Sequence, residues 1–348
     1  MSAGGGSIAS IGTLDAATRA KVQAGCNFVN AEVARLRKRI TIIGVVCAVG
    51  GIALWVFMGQ VPGMEGITFE TDPRFPMALA FLVFTFFANQ ARKELATSYK
   101  GIVVKRIVAS LGRGLTYSPT STLTKQQFEA MDLFKESAQR WKSEDEVSGK
   151  KEAVAYSLHE VLAARGQRSR RRFMYGNSVS LLIMGLKAAG KNDEEIIFKG
   201  LIVKLDFNKT FGGHTVVVPN RESKILGGLF GEAETRKRKA IVRLENPDFE
   251  NMFSVYSTDD QEARYLITPK LMELVMEAQA LLGAELRICF SQNSLFVTVP
   301  QDRDRFEVSL LGAPVTPQTA IGDLLAVVDL AERLVETLDL ETRIWTKV

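Results

Sequence analysis

Cysteine, histidine and proline are all scarce in this chain, and each shortage closes off a class of protein. Three cysteines in 348 residues, Cys26, Cys47 and Cys289, cannot build the paired framework of a disulfide-stapled secreted module. Two histidines, His159 and His214, exclude a His-rich metal centre, and with Cys289 they are too few for a zinc site beyond the N-terminal third. Ten prolines beside 46% hydrophobic residues exclude a disordered or collagen-like chain. Neither sign of charge dominates: 44 Lys+Arg stand against 39 Asp+Glu, a formal net charge of +5. Nucleotide motifs are also missing. There is no G-x-x-x-x-G-K-[ST] loop, and Gly227-Gly228-Leu229-Phe230-Gly231 has no strand pattern before it. Gly176-Asn177-Ser178-Val179-Ser180 fails the nucleophile-elbow pattern at its last position.

Uncharged, apolar runs are what the chain has in excess, and they raise the mean hydropathy to +0.05. Residues 40–64 contain no charge, and residues 40–58 (ITIIGVVCAVGGIALWVFM) are almost wholly apolar. About 20 such residues, at about 1.5 Å each, cover a hydrocarbon core of about 30 Å. A shorter run, residues 75–91, follows. Arg35, Arg37, Lys38 and Arg39 precede the first run; Arg92, Lys93, Lys100, Lys105 and Arg106 follow the second; Glu65, Glu70 and Asp72 lie between. By the positive-inside rule this predicts a two-helix transmembrane hairpin in the inner membrane, multi-pass, with both termini cytoplasmic. A cleaved leader is the wrong reading, because the run begins 40 residues in and exceeds a secretory apolar core. Two buried helices of an ordinary core compete with the hairpin. Gly44, Ala48 and Gly51 form a small-residue strip suited to close helix approach.

The remaining organisation is read from periodicity. Residues 1–12 are a small-residue tail, expected to be disordered. Val22, Cys26, Val29, Val33 and Leu36 repeat at 4, 3, 4, 3, a heptad-like seam. Residues 13–111 make the helical membrane unit, 112–124 a linker rich in Gly, Ser, Thr and Pro, and 125–348 a cytoplasmic domain. Thr124 with Gln127 is a capping box, predicting a helix to about Trp141. Strands are predicted at 196–207, 214–219 (paired back on 196–207), 239–245, 253–257, 263–267, 286–290, 295–299 and 306–310. Helices are predicted from Pro269 to about Leu282 and from Pro317 onwards. The expected fold class is α+β: the hairpin, then a mostly antiparallel sheet with packed helices.

Candidate sites are few. Asp259, Asp260, Glu262 and Arg264 form the densest polar cluster, and carboxylates so grouped suit divalent-cation binding or general acid/base work. The competing reading is an ion-paired turn held by Arg264. Asp206 precedes Asn208, Lys209 and a Gly-Gly turn, where Asp and Asn serve equally as turn formers. Glu144, Asp145 and Glu146 read as a solvated helix terminus. Arg168, Arg170, Arg171 and Arg172 carry no nearby acid and are candidates for anionic headgroups.

Two literal stretches carry a resemblance. One is Asp206-Phe207-Asn208-Lys209-Thr210-Phe211 with the VVVP at 216–219; the other runs from Val255-Tyr256-Ser257-Thr258-Asp259 through Glu262-Ala263-Arg264-Tyr265-Leu266 to Thr268-Pro269. With the SEDEVSGK of 143–150, this resembles an uncharacterised bacterial family of membrane proteins, a domain of unknown function behind a two-helix hairpin. The resemblance covers about residues 125–310, and residues 166–191 depart from it as an insertion. It implies no activity. The expectation is a membrane-anchored binding or scaffold protein without cofactor, with a lipid bilayer, anionic headgroups, a protein partner or a second copy as partners, rather than nucleic acid. The alternatives are a membrane-proximal hydrolytic enzyme using the acidic residues, or a pocket for lipid or another small ligand.

Overall fold

The structure is a computed structural model and describes residues 14–58, 74–98, 100, 104–111, 113–152, 154–165, 195–206, 211–220, 240–301 and 313–342. Its helices and strands follow in the order α1 (Ala16–Met58), α2 (Arg74–Ser98), α3 (Lys105–Ser110), β1 (Thr116–Thr120), α4 (Lys125–Ala130), β2 (Arg140–Lys151), β3 (Val154–Arg165), β4 (Glu195–Asp206), β5 (His214–Pro219), β6 (Ala240–Val242), α5 (Pro247–Met252), β7 (Phe253–Ser257), α6 (Asp260–Leu266), α7 (Pro269–Leu282), β8 (Arg287–Ser291), β9 (Ser294–Pro300) and α8 (Asp323–Thr342). The nine described strands join one sheet in the order β1-β2-β3-β4-β9-β8-β5-β7-β6. Every described pairing is antiparallel. The class is α+β.

Strand alternation sends residues to two faces. On one face Leu158, Leu201, Val203, Val217, Phe290 and Val297 join a core with α7, α8 and the inner half of α1. On the other, Val161, Phe198, Ile202, Val216 and Cys289 pack with Leu123, Phe128, Met131 and Leu133 around α4. The heptad-like seam is buried as expected: Val22, Cys26, Val29, Val33 and Leu36 all belong to the first core. Asn30 fastens that half of α1, donating from Nδ2 to the Val315 carbonyl at 2.9 Å and accepting from the Val315 N–H at 2.8 Å.

The two apolar runs form an antiparallel helix pair. Arg39 on α1 lies 3.6 Å from Glu94 on α2, and a Cβ on Gly44 would meet the Phe84 ring at 3.2 Å. Among the described residues, no helix is long and apolar enough to cross a membrane. A helix needs about 20 apolar residues, at about 1.5 Å each, to cover about 30 Å of hydrocarbon. This overturns the expected two-helix transmembrane hairpin, and with it the multi-pass inner-membrane placement with cytoplasmic termini.

Several elements differ from the sequence reading. Residues 263–266 are helical within α6 and Ile267 is its C-cap, because Asp259 caps the helix start by accepting from the Glu262 N–H at 3.0 Å and the helix buries Ala263 and Leu266, three apart. The capping box at Thr124 and Gln127 is present, but α4 ends at Ala130 and Asp132 adopts φ 52°. Residues 140–151 are then a strand, and β1 falls inside the 112–124 stretch. β5 pairs with β7 and β8 instead of with β4, whose partners are β3 and β9. The C-terminal helix opens with a π-helical turn at Gln318–Gly322 before α8. The predicted strand at 306–310 and the insertion at 166–191 lie outside the described residues.

Gly200 is the tightest point of the ladder. Its φ is +152°, and a Cβ there would sit 2.2 Å from the Val299 carbonyl oxygen. That contact is backbone and cannot yield by a rotamer change. Gly200→Ala is expected to cost about 3 kcal/mol or more in urea unfolding. Gly114→Ala, with φ +67° but open space around the Cβ, is expected to cost only about 1 kcal/mol.

Candidate functional site

The cluster around Asp259 is a built turn. Glu262 accepts from the Gly212 N–H at 2.8 Å and the Gly213 N–H at 2.6 Å, so its two carboxylate oxygens close the turn that leads into β5. The Thr258 hydroxyl accepts from the His214 N–H at 2.8 Å. Arg264 pairs with Asp260 at 2.9 Å along one helical turn and donates to the Arg243 carbonyl at 2.6 Å. Bonding to Asp260 raises the Arg264 guanidinium further above its ordinary value. Asp206 belongs to another set: it accepts from the Ser294 hydroxyl at 2.9 Å and pairs with Lys204 at 3.1 Å. Asp206 and Glu262 thus have different hydrogen-bond partners, from different segments of the chain. Among the described residues, no group of three or more His, Cys, Asp or Glu side chains could hold a metal ion. Arg168, Arg170, Arg171 and Arg172 lie outside the described residues.

A second polar centre sits where α2 meets the sheet. The register of β2 against β3 slips between Glu144 and Glu146, and Asp145, at φ 53°, is the extra residue. The bulge turns its side chain to the inner face, where it is fully buried. There it accepts from the Tyr117 hydroxyl and the Lys100 ammonium, and Glu144 lies 3.5 Å from the same ammonium. Burial raises the Asp145 carboxyl above its ordinary value, against the lowering effect of Lys100 and Tyr117. Burial, then the bond to Asp145, pushes the Tyr117 phenol well above the usual range. The acidic run of 144–146 is thus a strand with an inward carboxylate, not the solvated helix end that its composition suggested.

The third centre surrounds His159, also fully buried. Its Nδ1 is 2.8 Å from the Ser121 hydroxyl and its Nε2 2.8 Å from the Ser157 hydroxyl. A serine at that distance from an imidazole is within proton-transfer reach. The acid that would orient the ring is differently engaged: Glu146 Oε2 is 3.6 Å from Nδ1, beyond hydrogen-bond range, and accepts from the Thr122 N–H and hydroxyl at 2.8 Å each. Burial lowers the ring to about 4, so it is a weak base near neutrality. The arrangement is that of a satisfied core histidine.

A cysteine–histidine contact, invisible in the sequence, lies between two neighbouring strands of the sheet. Pairing of β5 with β8 brings Cys289 Sγ to 3.7 Å from His214 Nε2, which also lies 3.1 Å from the Ala130 carbonyl. Only the Nε2–H tautomer can donate to that carbonyl, so the nitrogen facing the thiol does not serve as its base. Cys289 is fully buried.

Comparison with known proteins gives a family match over part of the chain and a solved structure of low similarity. Residues 196–340 match the family described as "Protein of unknown function (DUF3137)". That supports membership of an uncharacterised domain family for this region and says nothing of the helical pair. No curated relative matches the chain. A solved structure, the crystal structure of the mycobacterial trehalose monomycolate transport factor A, TtfA, aligns at 13% identity over 72% of this chain and 93% of that one, with a TM-score of 0.35. At that score the likeness carries no argument.

Two outcomes follow from these centres. Glu262→Ala strips the acceptor from two backbone N–H groups and is expected to destabilise by about 1–3 kcal/mol in urea unfolding; Glu262→Gln, which keeps one carbonyl acceptor, is expected to lose less. His159 is held neutral in the folded chain, so its contribution is complete above an unfolded value of about 6.5 and is lost as pH falls towards about 4. Stability measured between those pH values is expected to drop by up to about 1.4 kcal/mol per unit, and His159→Gln is expected to flatten that slope.

Proposed function

We propose that the chain is a non-catalytic binding or scaffold module held at a lipid surface by the α1–α2 pair. The observation that carries this reading is the outer surface of that pair. Ile42, Val45, Val46 and Val49 on α1, with Phe81, Leu82 and Phe86 on α2, are all exposed. Apolar side chains exposed in this number on one helix pair suit an attachment site. Covering it returns about 25 cal/mol for each Å² taken from water. The same α1 has its inner half locked into the core by Asn30 and the Val22–Leu36 seam, so whatever the outer half meets is tied mechanically to the sheet. The non-catalytic part of the reading is supported by the engagement of Asp206, Asp259, Glu262 and Arg264 in caps, turns and ion pairs.

The test is flotation of the full-length chain with phosphatidylcholine vesicles. Co-migration with the vesicles is expected, and Val45→Asn with Val49→Asn and Phe86→Asn is expected to reduce it at least about tenfold. A chain that stays behind and self-associates in lipid-free buffer would point instead to a second copy as the cover.

A further inference from the structure

Arg35, Lys38 and Arg39 are exposed on α1, with 79% of the Arg35 side chain and 62% of the Arg39 side chain open to solvent. Spaced at i, i+3 and i+4, they share one helical face. Continuing that spacing leads to Ile42, Val45, Val46 and Val49, the exposed apolar residues of the same face. One stripe therefore changes from cationic to apolar within a single helical turn. On the neighbouring helix, exposed Lys93 stands at the same level, since its neighbour Glu94 reaches Arg39 at 3.6 Å. Across residues 32–39 and 93–94 the cations Arg35, Arg37, Lys38, Arg39 and Lys93 outnumber Glu32 and Glu94 by five to two. The Glu32 contact with Arg35 is 3.7 Å and solvent-exposed, too weak to hold that guanidinium from another partner.

We propose that this collar binds anionic lipid headgroups, so that the chain selects negatively charged lipid surfaces over neutral ones; the proposal rests on the lipid-surface reading above. Guanidinium and ammonium groups donate to phosphate oxygens, and the stems of Arg and Lys lie along apolar surface while their heads stay in water. That is the arrangement required where a headgroup layer gives way to acyl chains, and the cationic-to-apolar order along α1 matches it. A polyanion without an apolar layer, such as nucleic acid, would satisfy the cations and leave Ile42, Val45, Val46 and Val49 uncovered. Each cation near an anionic surface strengthens attachment about fivefold, and the effect fades within a Debye length of about 8–10 Å.

The experiment compares partition of the full-length chain onto vesicles of phosphatidylcholine alone and of phosphatidylcholine with phosphatidylglycerol. Binding to the anionic vesicles is expected to be about 10- to 100-fold tighter and to weaken as salt is raised. The triple variant Arg35→Gln, Lys38→Gln, Arg39→Gln is expected to keep its circular dichroism and its binding to neutral vesicles while losing the anionic preference. Equal partition of the unmodified chain onto both vesicle types, or a triple variant that retains the preference, overturns the collar and leaves the lipid-surface reading standing. Partition onto neither overturns both. Binding to a DNA duplex tighter than to the anionic vesicles also overturns the collar.

Discussion

The nine described antiparallel strands form one sheet with two faces that water must not reach, and the placement of α4, α7, α8 and the inner half of α1 answers to that constraint. One face takes the larger cover: α7, α8 and the inner half of α1 close over Leu201, Val203, Val217 and Val297. The other takes α4 and the chain around it, with Phe128, Phe134, Trp141 and Phe198 stacked within about 6 Å of one another. The ladder itself supplies little that distinguishes one topology from another; the burial of both faces does. The close approach of Gly200 to Val299 is tolerated because a residue without Cβ stands there.

The same constraint divides α1 into two parts of different character. Up to Leu36 its apolar residues recur at heptad-like spacing and are buried against the core. From Ile42 onward most are exposed, and exposed Arg35, Lys38 and Arg39 stand where the two parts meet. A helix that changes from buried seam to charged collar to exposed apolar surface within about 20 residues reports three surroundings in succession. The local sequence sets which part of the helix meets which surroundings; the sheet sets where the first part is anchored.

Legibility in the sequence tracked how local the deciding interactions are. The seam of Val22 to Leu36, the helix from Pro269 to Leu282 and the strands predicted at 286–290 and 295–299 depend on spacing, a proline at the first helical position and local alternation, all readable within a few residues. Asp259 to Ile267 misled because Ala263, Tyr265 and Ile267 alternate like a strand, while the Asp259 cap and burial of Ala263 with Leu266 make seven residues of helix. β2 was hidden by its Glu, Lys and Ser content and by a bulge that breaks alternation at Asp145. The polar sites were less legible still. Asp206 and Glu262 look alike in the sequence, yet their partners, Ser294 and the Gly212–Gly213 amides, come from distant segments. His159 with Ser121, and His214 with Cys289, are products of strand pairing that no short spacing announces.

The Asp145 bulge shows what such a hidden contact does for the whole. Lys100 lies two residues beyond the end of α2, and its ammonium meets Asp145 of β2, which Tyr117 of β1 also holds. A buried ion pair returns little net stability, because desolvating both charges offsets most of their attraction. What it does supply is geometry: either charge left buried alone costs several kcal/mol, so arrangements of α2 that separate them are excluded by about that amount. The apolar cores on each face would accept some sliding of one element over another. The Lys100–Asp145 pair, together with the two-way bond between Asn30 and Val315, does not. Polar contacts therefore fix the direction in which the exposed helix pair leaves the sheet, while apolar burial holds the sheet together.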